Sequence, residues 1–113
     1  LHLQTANEPK DILFAIEHIE DYVQGKRNPE ELLSDGKTYD AVLMNFIIIG
    51  EAANRLSAEL RSTLVEVDWR AMVGFRNIVA HDYFGVDINV VWAAVKIHLP
   101  QLREDIRKHL ELG

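Results

Sequence analysis

The run Val42-Leu43-Met44-Asn45-Phe46-Ile47-Ile48-Ile49-Gly50-Glu51-Ala52-Ala53 decides the fold. Val42, Phe46, Ile49, Ala53, Leu56 and Leu60 recur at intervals of three or four residues. That is the period of one helical face, so the spacing predicts a helix from about Thr38 to Arg61. Leu43, Ile47 and Ile48 widen the stripe. A helix that is apolar on more than one stripe is either central in its bundle or covers a second interface. This is the first indication of a dimer.

The other long segments also have helical period. Ile12, Ile16, Ile19 and Val23 share a face, with Pro9 suited to a first turn and Gly25 to a stop. Asn28-Pro29-Glu30-Glu31 reads as the capped start of a short helix, and Ser34-Asp35-Gly36 as a turn. Asp68 is placed to cap a third long helix, with Met72, Phe75 and Val79 inward and Gly85 near its end. Asp87 caps a fourth, whose inward residues run from Val91 to Leu110. Pro100 falls inside that pattern, and a kink or short break is expected there because proline lacks an N–H and clashes with the carbonyl of Lys96. No segment alternates with period two. The expected fold is all-α, an antiparallel four-helix bundle with additional short helices, in one domain over residues 1–113.

Composition narrows the function. With no cysteine, thiolate catalysis, disulfides and cysteine-based zinc sites are excluded, and a reducing cytoplasm is the expected location. The longest apolar run, Phe46-Ile47-Ile48-Ile49, is far too short to span a bilayer, and the Leu1–Thr5 stretch has no signal-peptide pattern. The five histidines show no metal-ligand spacing, and there is no phosphate loop or nucleophile elbow, so neither metal nor cofactor is expected. A net charge of −6 argues against a general nucleic-acid coat protein. An enzyme that engages RNA through one local cationic cleft remains open.

Such a cleft has candidates in Arg76-Asn77-Ile78-Val79-Ala80-His81-Asp82-Tyr83. Histidine titrates near neutrality and can take a proton from a ribose 2′-hydroxyl or give one to the leaving 5′-oxygen. Arginine offers a planar fork of donors to a phosphate as charge builds in the transition state. Tyr83 can donate to phosphate or stack on a base. Asn77, one turn before His81, is placed to orient the imidazole. On an ideal helix Arg76, Ala80 and Tyr83 share a face, while Asn77 and His81 lie about 100–140° around from it. Either the helix loosens near His81, or two copies pool their groups across a two-fold axis. Trp69 and Trp92 read as core or interface anchors, and Asp82 as a solvated helix-end acid. Glu51 has two readings: a carboxylate that orients Arg76 in a dimer cleft, or a partly buried acid with a structural partner.

The pattern Arg-x4-His-x-Tyr resembles the signature of HEPN ribonucleases. More of the chain is similar to the HepT-like toxins of that class. Lys37–Val42 resembles the family's second-helix entry, Ile49–Ser57 its second-helix core and Asp68-Trp69-Arg70 its motif-helix start, followed by Phe84-Gly85-Val86-Asp87 and Val91-Trp92. The resemblance implies a HEPN-like bundle that dimerises with both motif copies lining one cleft. It implies a metal-independent endoribonuclease toxin of a type II-like toxin–antitoxin pair, with Arg76 and His81 catalytic. It further implies a partner, a small nucleotidyltransferase antitoxin of the MntA type, that adenylylates Tyr83. The alternative is a catalytically silent HEPN dimer that binds a nucleotide or such a partner.

Overall fold

The computed structural model describes residues 7–64 and 67–112. His2 and the Leu1–Thr5 stretch lie outside them. The described residues form helices and turns without a strand.

Helix α1 spans Glu8–Tyr22, with the Asn7 side chain accepting from the Lys10 amide and Pro9 in its first turn. Gly25, at φ +86°, then reverses the chain in a conformation that side chains resist. Helix α2 covers Pro29–Ser34, capped by Asn28 as its sequence indicates. Helix α3 spans Gly36–Asn54. Asp35 therefore caps α3 rather than sitting mid-turn, and the helix starts two residues earlier than predicted.

The far end of α3 differs from the expected limit of Arg61. The helix stops at Asn54, and a separate helix, α4, covers Ala58–Thr63. Ser57 explains the break: its hydroxyl accepts from the Leu60 amide at 3.1 Å and restarts the chain as a new helix. The Arg61 guanidinium donates back to the Ala53 carbonyl at 2.8 Å, which also accepts from the Leu56 amide at 3.2 Å, tying α4 to the end of α3.

Helix α5 runs Trp69–His81 behind the predicted Asp68 cap. A 3₁₀ turn follows over Tyr83–Gly85, then helix α6, Ile88–Ala93, capped by Asp87. A π turn over Ala94–His98 leads into α7, Leu99–Leu112. The break predicted at Pro100 takes this form. The Leu99 amide donates to the Ala94 carbonyl, five residues back, so the ladder changes register just before the proline.

Ion pairs give the helix directions. Arg55 near the end of α3 reaches Glu8 at the start of α1 at 3.8 Å. Arg103 and Arg107 on α7 meet Glu20 and Glu17 on α1 at 2.6 and 3.2 Å. Helices α1 and α3 are thus antiparallel, as are α1 and α7. The Phe46–Phe75 rings, 5.1 Å apart, pack α5 on α3, and the contacts Arg76 to Glu51 and Tyr83 to Asp40 run in opposite order along the two segments, so α5 lies antiparallel to α3. Helix α3 is central, packed by α1 and α5, which accounts for its broad apolar surface. Ile12, Ile16, Ile19, Val42, Leu43, Val91 and Ile106 are fully buried. Met44 and Ile48 stay outside this core, at 55% and 41% exposure. No described helix is long and apolar enough to cross a membrane.

The α2–α3 corner carries a pH dependence. Lys26 Nζ lies 2.8 Å from the Asp35 carboxylate, which also accepts from the Thr38 hydroxyl and amide. The Lys26 hydrogen bond first, then those from Thr38, hold the Asp35 carboxyl down to about 2. The folded value lies below the ordinary 3.8, so folding favours the ionised form. Its stabilisation is complete above that ordinary value and is lost as pH falls through about 2. The melting-temperature gap between wild type and Asp35→Asn, followed by circular dichroism, is expected to close across that interval. A gap that stays constant to the acid limit would contradict the assignment.

Candidate active site

The site forms where the end of α5 crosses α3. The two helices come close at Gly50. A Cβ there would stand 2.2 Å from Arg76 Cβ, 2.7 Å from its Cγ and 3.2 Å from the Met72 carbonyl oxygen. The missing side chain lets α5 lie against α3 and sets Arg76 beside the next residue, Glu51. The Arg76 Nη2 donates to the Glu51 carboxylate. Nη1 donates to Asn77 Oδ1 at 2.9 Å. The buried Nε has no partner among the described residues. Arg76 is thus held at both tips of its fork while keeping donors for an anion. The pair is only partly desolvated, with side chains 27% and 40% exposed.

Asn77 therefore orients the arginine in this structure, not the imidazole suggested by its helical spacing. Side-chain direction decides this: Arg76 folds along α5 towards its neighbour, and His81 lies a full turn further on. His81 is the last residue of α5, exposed and without a hydrogen-bond partner among the described residues. Asp82 leaves helical geometry at φ −145° and ψ 61°, with its amide still donating to the Ile78 carbonyl at 2.8 Å.

The helix end also changes the position expected for Tyr83. The residue lies beyond α5, so it does not share a helical face with Arg76 and Ala80. The 3₁₀ turn swings it back onto α3, where its hydroxyl donates to the Asp40 carboxylate. Its ring meets Tyr39 edge-on, with centroids 6.4 Å apart. Gly85 ends this turn rather than α5, and its φ is not positive. Its role is spatial, because a Cβ there would meet Asp82 Oδ2 at 2.2 Å. Asp82 is exposed, as read from its position at the helix end.

Asp40 was not singled out by residue type. The available signal was its helical spacing: Asp40 and Glu51 are three turns apart on one face of α3. The hydrogen bond to Asp40 is the main cause raising the Tyr83 phenol above its ordinary value of 10.0, with slight burial and nearby charge adding to it. The phenol is thus protonated at neutral pH. Asp40→Asn is expected to lower its titration point, read as phenolate absorbance against Tyr83→Phe. An unchanged titration would mean that the two side chains do not meet in solution.

Trp69 is buried, consistent with a core anchor. Trp92 is partly buried, with Lys96 Nζ 4.9 Å from its ring centroid. Among the described residues, no three acidic or histidine side chains cluster as a metal site would require.

Comparison with known proteins places the chain in a family. The chain is 37% identical over 99 residues to a Thermococcus cleftensis protein named "Probable ribonuclease HepT", covering 88% of this chain and 89% of that one. It is 36% identical over 100 residues to a Methanocaldococcus jannaschii protein named "Gamma-glutamylcyclotransferase and putative RNase", covering 88% of this chain but 45% of the longer relative. A Caldanaerobacter subterraneus protein named "Putative RNase TTE0752" is 29% identical over 82 residues, or 73% of each chain. No solved structure matches. The profile described as "Ribonuclease HepT-like" matches residues 12–109, and the chain belongs to that family.

Proposed function

We propose that this chain is a metal-independent endoribonuclease toxin of a toxin–antitoxin pair, with Arg76 and His81 as its catalytic residues. The observation that carries the reading is Arg76, fixed by Glu51 and Asn77 on α5 five residues before an exposed, unpartnered His81. His81 takes the 2′-hydroxyl proton as that oxygen attacks phosphorus, or returns a proton to the departing 5′-oxygen. Arg76 stabilises the charge gathering on the phosphoryl oxygens. Glu51 and Asn77 act through Arg76 by fixing its plane. Two copies face each other, bringing both motifs to one cleft. Ile78 on α5 and Met44 and Ile48 on α3 support this arrangement: they are apolar, 41–55% exposed, and lie along the helices between the site's polar contacts.

Tyr83 is the point of control. Its hydroxyl is held at the surface by Asp40. Adenylylation there by a cognate nucleotidyltransferase places an anionic, bulky group where substrate phosphate must sit. Cleavage of RNA by the purified, unmodified chain tests the reading. Activity is expected to disappear when the partner enzyme and ATP add one adenylyl group, and to survive that treatment in Tyr83→Phe. Sedimentation is expected to show a dimer that Ile78→Asp converts to monomer. If neither the wild type nor any variant cuts RNA while unmodified, the catalytic reading fails in favour of a silent binding module.

A further inference from the structure

We propose that Phe84 is the base-stacking residue of this site, receiving an unstacked nucleobase of single-stranded RNA beside the phosphate held at Arg76 and His81. The proposal rests on the ribonuclease reading above and adds a substrate class to it. Phe84 is 96% exposed, the most exposed large apolar side chain among those described. A ring so open to solvent makes no packing contribution that would account for it.

The turn that carries it is pinned from several sides. Tyr83, its neighbour, is tied to Asp40 and packed on Tyr39. The Asp82 carboxylate occupies the space left by the missing Gly85 side chain. The Gly85 amide donates to the Asp82 carbonyl at 2.9 Å and the Val86 amide to the Tyr83 carbonyl at 3.3 Å. The Tyr83 and Phe84 rings meet nearly perpendicular, at 81° with centroids 5.1 Å apart. The Phe84 ring is therefore presented to solvent by a braced turn, three residues past His81.

Its surroundings fit a base better than a protein surface. Asp82, Gly85, Asp87 and Asn89 around it in the chain are exposed and polar or small, and its exposed apolar neighbours are only partly open, Tyr83 at 40% and Val90 at 50%, so the ring projects from a mainly polar surface. Charge points the same way. The chain carries a net −6, and Asp40, Glu51 and Asp82 accompany the one arginine of the site. Counterion release can contribute little here, so RNA affinity must come largely from stacking, which every base can supply. Duplex RNA hides its base faces and single strands expose them.

The test uses full-length unmodified protein and a single-stranded, fully 2′-O-methylated oligoribonucleotide carrying 2-aminopurine, which is not cleaved. Wild type is expected to quench the probe on binding, with a shallow salt dependence. Phe84→Ala is expected to lose the quench and bind on the order of 10-fold more weakly, with an unchanged melting temperature and salt slope. Phe84→Trp is expected to retain both. A Phe84→Ala protein that quenches like wild type overturns the proposal. So does one that loses self-association while its quench is intact, because the ring would then belong to a protein interface. Loss of cleavage in His81→Ala alongside full quenching by Phe84→Ala would remove only the stacking claim. A wild type that neither binds nor cuts RNA would remove both readings.

Discussion

His81→Ala is expected to lower the single-turnover rate of RNA cleavage by about 10²- to 10⁴-fold, the usual contribution of a positioned acid–base group. Arg76→Ala is expected to lower it about 10²- to 10³-fold, the usual loss for one preorganised donor to a developing oxyanion. Neither change should unfold the protein. His81 is exposed and its side chain makes no hydrogen bond among the described residues. The Arg76–Glu51 pair is partly solvated, and pairs of that kind contribute about 1 kcal/mol or less. Arg76→Lys should recover little activity, because an ammonium cannot present a planar fork while holding Glu51. The measurement is cleavage of a fluorescent oligoribonucleotide by protein whose intact mass shows no adenylylation, with melting curves alongside. Wild-type rates in either alanine variant would remove that residue from the chemistry.

Gly50→Ala has the largest expected structural effect. Helix propensity alone would make alanine stabilising by about 0.5–1 kcal/mol. The added Cβ, however, would stand 2.2 Å from Arg76 Cβ, an atom close to the backbone that cannot swing away. Helices α3 and α5 must separate, and overpacking of this kind costs about 1–3 kcal/mol. A net loss of about 0–2.5 kcal/mol in urea unfolding is the expected sum of those terms. Gly74→Ala is the control: nothing lies within 4 Å of its Cβ position, so only the propensity gain remains. Displacement of Arg76 by a fraction of an ångström should also cut cleavage by Gly50→Ala at least 10-fold. A stabilised, fully active Gly50→Ala would show that α5 does not approach α3 this closely.

The helices were legible because their signals are local. The three-and-four spacing of Ile12, Ile16 and Ile19, and caps such as Asn28 and Asp68, act within one turn of chain. The Ser57 break was legible in principle but was masked by the apolar residues at Leu56 and Leu60, which keep the helical rhythm across it. Arg76 and His81 stood out by residue type. Their surroundings did not, because contacts across helices depend on packing depth and rotamer. The bond between Asn77 and Arg76, the return of Tyr83 to Asp40, and the dependence of Arg76's seat on the bare Cα of Gly50 all join groups by tertiary geometry. The end of α5 at His81 mattered most. Two residues of lost helix move Tyr83 from a shared face with Arg76 onto α3.

The central claim is that Arg76 and His81 cleave RNA through the ribose 2′-hydroxyl. The most direct measurement is the chemistry of the ends left by unmodified wild-type protein on a defined oligoribonucleotide, beside the same oligonucleotide with one 2′-deoxy residue at the cut position. The account predicts a 2′,3′-cyclic phosphate and a 5′-hydroxyl at the cut, no cleavage at the deoxy position, and neither product with His81→Ala. A 5′-phosphate product, or cleavage unaffected by the missing hydroxyl, would contradict it.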